Sequence, residues 1–542
     1  MRCRVTTRPP RPPVALPPVA TDADTLQSFL EDAAHYHGGH AAGVAFPRSE
    51  GEVAALVTSV DRLLPIGAQS SLTGGATPMG EVIVSTTRMA AIGPIDRDTV
   101  RVQPGVVLSS LQESLASARR YYPPAPTYNG ACVGGTIATN ASGAATFKYG
   151  STRRWVKALT VVLATGEVVD IERGQVAADP RGFFEIDGPP GLRRVMVPAY
   201  VMPDVPKRSA GYFASPGMDL VDLFIGSEGT LGIVVDATLA IVPDPPNTCH
   251  ALVPCPTESG AVALVGALRR ASRETWRARD PRGLDVSAIE QMDRRCLAML
   301  RDDGEDRKHH VHVPDGTAMA LLVQIELPAD VTSERAFEQL SSAREPGAPD
   351  TPLARFCALL DASGVLDDTQ MALPGEHRRA EQFVAIREAV PSAVKHRIGI
   401  AKQTIDLSIE KTAGDMIVPF ERFEEMLAVY HEGFGRRGLD HAIWGHVSDG
   451  NVHPNVLPRT VEEMHAGREA ILEFGHEVMR RGGCPLAEHG VGRSPLKQAL
   501  LRQLYGDAGI DAMREVKAAL DPDWKLSPGV LFPRSGGASA PP

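Results

Sequence analysis

Two glycine-rich stretches constrain this chain more than anything else in it. One is Gly134-Gly135-Thr136-Ile137-Ala138-Thr139-Asn140-Ala141-Ser142-Gly143, and the other runs from Asp222 through Gly226-Ser227-Glu228-Gly229-Thr230-Leu231-Gly232 to Ile233. Backbone without Cβ atoms can approach a ligand closely and turn N–H groups toward phosphate or carbonyl oxygens. A third stretch, Gly67-Ala68-Gln69-Ser70-Ser71-Leu72-Thr73-Gly74-Gly75, follows Leu64-Pro65-Ile66. That is a strand feeding a polar loop, as a diphosphate cradle requires. The loop fits neither the P-loop pattern nor G-x-G-x-x-G, which disfavours a nucleotide P-loop and a doubly wound dinucleotide fold. A large ligand lying across these turns is the simplest common explanation.

At 542 residues the chain exceeds one ordinary core and implies about two or three domains. Its net charge of −10 offers no basic face for nucleic acid. No apolar run reaches the ~18 residues a membrane span needs, so membrane association is expected to be peripheral at most. Met1-Arg2-Cys3-Arg4-Val5 lacks the apolar centre of a signal peptide. The seven cysteines (3, 132, 249, 255, 296, 357 and 484) are scattered, odd in number and without a C-x-x-C pair. They argue against a disulfide framework, a cysteine zinc site or an iron–sulfur domain, and point to the cytoplasm.

The patterning predicts short helices over Thr25–His37, after Ser49 and over Leu108–Arg120, with strands at 43–47, 82–85 and 99–103. Pro123 to Pro126 reads as a rigid connector. Leu159–Leu163, a Thr-Gly turn and Val168–Ile171 read as a hairpin, and Gly232–Pro243 as a long strand. Beyond Pro254, an amphipathic helix starts at Thr257. Asp285–Glu290 reads as an edge strand, Arg301–Asp315 as an exposed charged loop, and Ala318–Glu326 as a central strand. Helices follow over Ser333–Leu360, broken near Pro346, and over Glu376–Glu388, with a strand over Thr404–Ile409. Residues 1–22 are expected to be a flexible Pro-rich start and 535–542 a loose tail.

The three loops, in chain order, resemble the FAD-binding domain of vanillyl-alcohol-oxidase-type flavoproteins over about Pro47 to Pro243. The resemblance implies an α+β fold: a two-part FAD domain (23–245), an α/β substrate cap (246–495) and a C-terminal helical segment (496–534) returning to the flavin. It assigns Ile66, Gly67, Ala68, Gln69, Ser70, Ser71 and Gly74 to the pyrophosphate. Pro104, Gly134, Gly135, Thr139, Asn140, Ser142 and Gly143 fall to the flavin and its phosphates. Glu228, Gly229, Gly232 and Ile233 fall to the adenine and ribose side. No His lies in the Gly67–Gly75 loop or the Gly134–Gly143 turn, and Cys132 reads as a small buried thiol, so non-covalent FAD is expected. Ser527 stands in a C-terminal segment where relatives usually carry Asn.

Ile443 to Asn455 holds a second constellation, His446-Val-Ser-Asp449-Gly450-Asn-Val-His453-Pro-Asn455. With Asp449-Gly450 as a two-residue turn, His446 would face His453 across a hairpin, Cβ atoms ~5 Å apart, and two imidazoles so placed can bind one divalent metal. Asn455 falls on the face of His453. Glu488-His489, before Gly490, adds a carboxylate and an imidazole. The set resembles the D-2-hydroxy-acid dehydrogenase branch of the same flavoproteins, which includes D-lactate, glycolate and D-2-hydroxyglutarate dehydrogenases. That resemblance assigns His446, His453 and Glu488 to a metal, Zn or Mn, and His489 to the catalytic base. It assigns Arg387 to the substrate carboxylate, with Lys402 a second candidate whose spacing departs from relatives and Asn455 beside them. Pro391 replaces the hydroxyl residue four after the Arg, which counts against a dedicated D-2-hydroxyglutarate site.

The chemistry is coherent. A 2-hydroxy acid chelates a metal through its hydroxyl and carboxylate, the metal lowers the hydroxyl pKa, and an imidazole accepts such a proton near neutral pH. Hydride then leaves for the flavin. The expected function is FAD-dependent oxidation of a D-lactate-like acid, with a quinone, cytochrome, electron-transfer flavoprotein or O₂ taking the electrons and a homodimer allowed. An alkyldihydroxyacetone-phosphate-synthase-like flavoenzyme and a non-catalytic flavin-binding protein remain open alternatives. Reduction of a dye by D-lactate separates them.

Overall fold

A computed structural model describes residues 2–11, 14–124, 128–189, 191–243 and 246–534. The expected tail lies outside that range, as does the end of the Pro123–Pro126 connector. The chain divides into two compact units. The first comprises Met1–Gly143, Gly150–Asp244 and Leu486–Pro542, and the second Ala144–Tyr149 with Pro245–Pro485. The chain re-enters the first unit at Leu486 rather than near residue 496. Glu488 and His489 are therefore built into the first unit.

Two sheets order the first unit. In one, Leu63–Ile66 and Gly43–Ala45 lie parallel on either side of Val82–Ser85. The helix Glu50–Ser59 starts where Ser49 accepts the N–H of Glu52, with Glu50 and Glu52 in its first turn. In the second sheet, Ile233–Ala240 lies between Val156–Val162 and Thr99–Val102, with Val168–Glu172 and Ile92–Ile95 outside them. Burial alternates along Ile233–Ala240, so one face meets the core. The expected hairpin forms with Val162 opposite Val168. Leu108, Leu111 and Leu115 form the buried stripe of the helix Leu108–Ser117.

The second unit is built on an eight-stranded sheet. Its order runs Gln370–Ala372, Asn247–Cys255, Met319–Leu327, Val286–Asp293, His441–Gly445, Asn451–Val456 and Thr412–Ala413, with Met416–Ile417 also pairing with Asn451–Val456. The helix Glu258–Ala278 is capped by Thr257.

Several expectations change. The N-terminal segment is not loose: Arg4–Thr6 pairs parallel with Phe183–Gly188, and Arg8 pairs with Val168 and bonds Glu50 and Asp170. The first helix is only Ala23–Gln27. Gly134 and Gly135 sit in a six-residue helix, Val133–Ala138, rather than a turn. Val286–Asp293 is central, not an edge, and every position in it is buried. Arg301–Asp315 contains a short helix, Glu305–Lys308. The expected Thr404–Ile409 strand does not form; the helix His377–Thr404 runs through Pro391 and takes in Thr404, and 405–409 are irregular. Ile405 and Leu407, which gave the alternating pattern, are exposed at 62% and 74%.

Candidate functional site

In the first unit the three glycine-rich loops enclose a cleft of about 290 Å³. Every residue expected to hold the cofactor lines it except Gly74, Asn140 and Gly143. Gly74 packs its Cα on Tyr36, and a Cβ there would stand 2.6 Å from that ring. Asn140 is buried and accepts the N–H of Arg153, so it shapes the loop from behind. Gln69, Asn140 and Glu228 all take left-handed backbone at φ of about +50°, strain that clusters at ligand-binding turns. Gln69 spends its amide on the carbonyls of Phe29 and Ala76, which hold its loop open.

The two adjacent glycines have different jobs. A Cβ on Gly134 would lie 2.6 Å from the Pro104 side chain, whereas one on Gly135 would meet nothing within 4 Å. Gly135 therefore borders open cleft, the space a flat ring system needs, and the lining fits a flavin with its phosphates on backbone. Cys132 is buried, and burial pushes its thiol above the ordinary range. Thr86 and Tyr128 also line the cleft, and no sequence signal marked them. Ser527 sits at φ +45° and donates to the carbonyl of Gly229. That left-handed position suits Asn better than Ser.

Glu488 and His489 line the same cleft. Glu488 is buried and accepts from Lys207, itself fully buried, at 3.1 Å. His489 is part-buried, its Nε2 3.7 Å from the Glu488 carboxylate. Their segment is held by its backbone. Ser209 N–H donates to the carbonyls of Leu486 and Ala487, and the carbonyl of Thr73 accepts from Arg493 and Ser494.

In the second unit the His446–His453 hairpin has a different register from the one expected. Trp444, not His446, faces His453. Val447–Asp449 form a 3₁₀ turn closed by Gly450 at φ +82°, so residues 446–450 leave the ladder. The cause is tertiary: Ser448 accepts Ile289 N–H on its hydroxyl, and Arg269 donates to its carbonyl. The two imidazoles still converge, with ring centroids 5.7 Å apart and rings nearly perpendicular. Asp415 lies 3.6 Å from His453 Nδ1 and accepts from Asn451. Asn455 is buried next to His453, and its amide donates to the His453 carbonyl.

Glu290 ties this cluster together. One carboxylate oxygen accepts from His446 Nδ1 and the other from Arg387 Nε at 2.9 Å, with all three residues buried. Burial alone would raise the carboxyl pKa, but Arg387 and His446 hold it well below the usual carboxylate range. With Nδ1–H committed to Glu290, a neutral His446 presents its lone pair on Nε2, the tautomer a metal ligand needs. The donor set fits a divalent metal on that ground. Among the described residues only the Nε of Arg387 is hydrogen-bonded, which leaves its two terminal nitrogens open to a ligand. Pro391 provides no N–H to the Arg387 carbonyl, so the helix lacks a bond at Arg387. Lys402 lies fifteen residues on in the same helix.

This combination of folds and clefts is that of a flavin-dependent oxidoreductase, and comparison with known proteins narrows it. Residues 41–172 match the FAD binding domain family, and 257–531 match the C-terminal domain of FAD linked oxidases. The chain belongs to the FAD-linked oxidase family. It is 26% identical over 528 residues to the D-2-hydroxyglutarate dehydrogenase of Stutzerimonas stutzeri, covering 95% of this chain and 96% of that one. It is 27% identical to the glycolate oxidase subunit GlcD of Bacillus subtilis (90% and 88% covered). It is also 27% identical to the D-lactate dehydrogenase of Anaerostipes hadrus (89% and 87%). Among solved structures, p-cresol methylhydroxylase superposes with a TM-score of 0.63 at 15% identity, covering 96% of this chain and 95% of that one. The 4-ethylphenol oxidase from Gulosibacter chungangensis gives 0.61 at 15% identity, with 95% and 94% covered. These structures share the fold. No helix among the described residues is long and apolar enough to cross a membrane.

Proposed function

We propose that this enzyme oxidises a small D-2-hydroxy acid of the lactate type to the 2-oxo acid, with non-covalent FAD and a divalent metal, Zn or Mn. One observation carries the reading: Glu290 joins Arg387, a carboxylate-binding cation, to His446, an imidazole with its lone pair on Nε2. A 2-hydroxy acid presents a carboxylate and a hydroxyl on adjacent carbons, and this pairing serves both.

Arg387 binds the substrate carboxylate through its terminal nitrogens in the fork geometry Arg favours. His446, His453 and Glu488 hold the metal, with Glu290 fixing the first imidazole. Asn455 fixes the strand that presents His453. When bound, the flavin supplies the hydride acceptor and the metal the Lewis acidity that lowers a hydroxyl pKa. His489 takes the hydroxyl proton as Cα gives up its hydride. Pro391 brings no hydroxyl near the acid's side chain, which favours a short apolar substituent over a second carboxylate.

The test is anaerobic bleaching of the flavin by a panel of D- and L-lactate, glycolate and D-2-hydroxyglutarate. D-lactate is expected to bleach it fastest. A flavin that none of the four reduces would overturn the reading.

A further inference from the structure

We propose that Glu228 is the positioning residue for the catalytic base rather than a cofactor contact. The proposal rests on the assignment of His489 as that base. Glu228 follows Ser227 in the glycine-rich stretch from Asp222 to Ile233, which was expected to face the adenine and ribose side. Its carboxylate points elsewhere. Both oxygens are taken up by backbone N–H groups of the segment that carries the base, Oε1 by Val491 and Oε2 by Gly492, each at 2.8 Å. Two parallel charge-assisted bonds from one carboxylate fix both the position and the orientation of the acceptor peptide.

The surroundings are built for this grip. Gly490, at φ +71°, lies against the carboxylate so closely that a Cβ would stand 2.8 Å from Oε1. Gly492, at φ +57°, would place a Cβ 2.4 Å from the carbonyl oxygen of Thr73. Glu228 holds left-handed backbone itself, an unfavourable state for Glu that turns its side chain to this segment. Burial raises its carboxyl to about 7 against the pull of the two N–H donors, so the site takes an ionisable group where a neutral one would be easier to bury. From His489 to the clamp is two residues of chain. The clamp on one side, with Lys207 on Glu488 at the other, sets where the imidazole stands.

Misplacing a catalytic group by ~1 Å costs on the order of 100-fold in rate. The experiment compares Glu228→Ala, Glu228→Gln, His489→Ala and the double variant Glu228→Ala/His489→Ala. Each is purified as holoenzyme, with FAD content by absorbance and flavin reduction by stopped flow. Glu228→Ala is expected to keep stoichiometric FAD and to slow reduction by roughly 10–100-fold. Glu228→Gln, which keeps one acceptor oxygen, should fall between it and the wild type. The double variant should reduce no slower than His489→Ala alone, because a residue acting only through the base adds nothing once the base is gone. If Glu228→Ala fails to fold, Glu228→Gln alone decides the rate and FAD readouts. Loss of FAD with unchanged reduction in the flavin-loaded fraction returns Glu228 to the cofactor and overturns the proposal. Fully additive losses overturn it as well. A His489→Ala enzyme that reduces flavin at the wild-type rate overturns the base assignment instead, a distinct outcome.

Discussion

Glu290→Gln is the substitution that most sharply tests the second unit's chemistry. The amide matches the carboxylate in shape and keeps one acceptor oxygen, so His446 Nδ1 can still be bonded. The other oxygen becomes an NH₂ group facing Arg387 Nε, donor against donor. The charge-assisted bond at 2.9 Å is lost, a term of about 1.5–3 kcal/mol. His446 loses the negative charge that makes its Nε2 a better ligand. Removing such a partner typically lowers metal affinity 10–100-fold, about 1.4–2.7 kcal/mol. Competition against a chromophoric Zn²⁺ chelator measures this directly on the folded protein, with no need for turnover. The expected result is at least a tenfold weaker Zn²⁺ affinity with FAD content unchanged, since the flavin loops are in the other unit. A folded Glu290→Gln protein that binds Zn²⁺ as tightly as the wild type would refute the link between Glu290, His446 and a metal.

Further outcomes follow from the first unit. Gly135→Val should fold but come out colourless, because its side chain enters open cleft, whereas Gly134→Ala should lower the thermal midpoint through its clash with Pro104. A yellow, active Gly135→Val enzyme would displace the flavin from this cleft. Lys517 is buried, bonds the carbonyls of Thr230 and Leu526 as well as Asp521, and is pushed down to about 8 by burial. Lys517→Met leaves a buried carboxylate short of its cation and should cost about 3 kcal/mol, roughly 3–5 °C in a thermal scan of a chain this large; an unmoved midpoint would refute this. Glu228 titrates near 7 in the folded chain against 4.5 as an ordinary Glu, so the fold holds its proton longer than the unfolded chain does. Wild-type stability should therefore fall as pH rises from about 4.5 to 7, by at most ~3 kcal/mol after screening of this half-buried residue, and Glu228→Gln should lack that slope. Parallel pH curves for the two proteins would contradict it.

What the sequence made legible was whatever recurs locally. The glycine loops, the helix after Ser49, the Leu159–Ile171 hairpin and the stripe of Leu108, Leu111 and Leu115 each follow from a few adjacent residues. The histidine pair was legible too, but not its register, because Ser448 is held by Arg269 and by the strand beside it. Nothing near Asp449-Gly450 announces those partners. Glu290, Asp415 and Lys207 were missed for the same reason. Each sits far along the chain from the residue it orients, inside an element that reads as ordinary strand or loop. The Thr404–Ile409 error has another origin: alternation of Ile405, Leu407 and Ile409 imitates a strand, while only Ile409 is buried.

In the second unit a buried glutamate, Glu290, reaches from a distant strand to hold His446, and that device costs stability. Burying Glu290 and Arg387 removes two charges from water, a penalty their mutual attraction repays only in good geometry. The single and double variants separate the pair's cost from its use. Arg387→Met strands the Glu290 carboxylate among apolar neighbours with only His446 left, and should destabilise by about 3–5 kcal/mol. Glu290→Leu with Arg387→Met removes both charges and fills the space. Its stability should return to within ~2 kcal/mol of the wild type, the remaining deficit being the His446 Nδ1–H without its acceptor. Activity should be gone from both. Thermal midpoints of the two single variants, Arg387→Met and Glu290→Leu, and of the double variant measure the coupling. A double variant no more stable than Arg387→Met alone would mean that the pair is part of the fold's own support, and the view that it is kept for chemistry would fail.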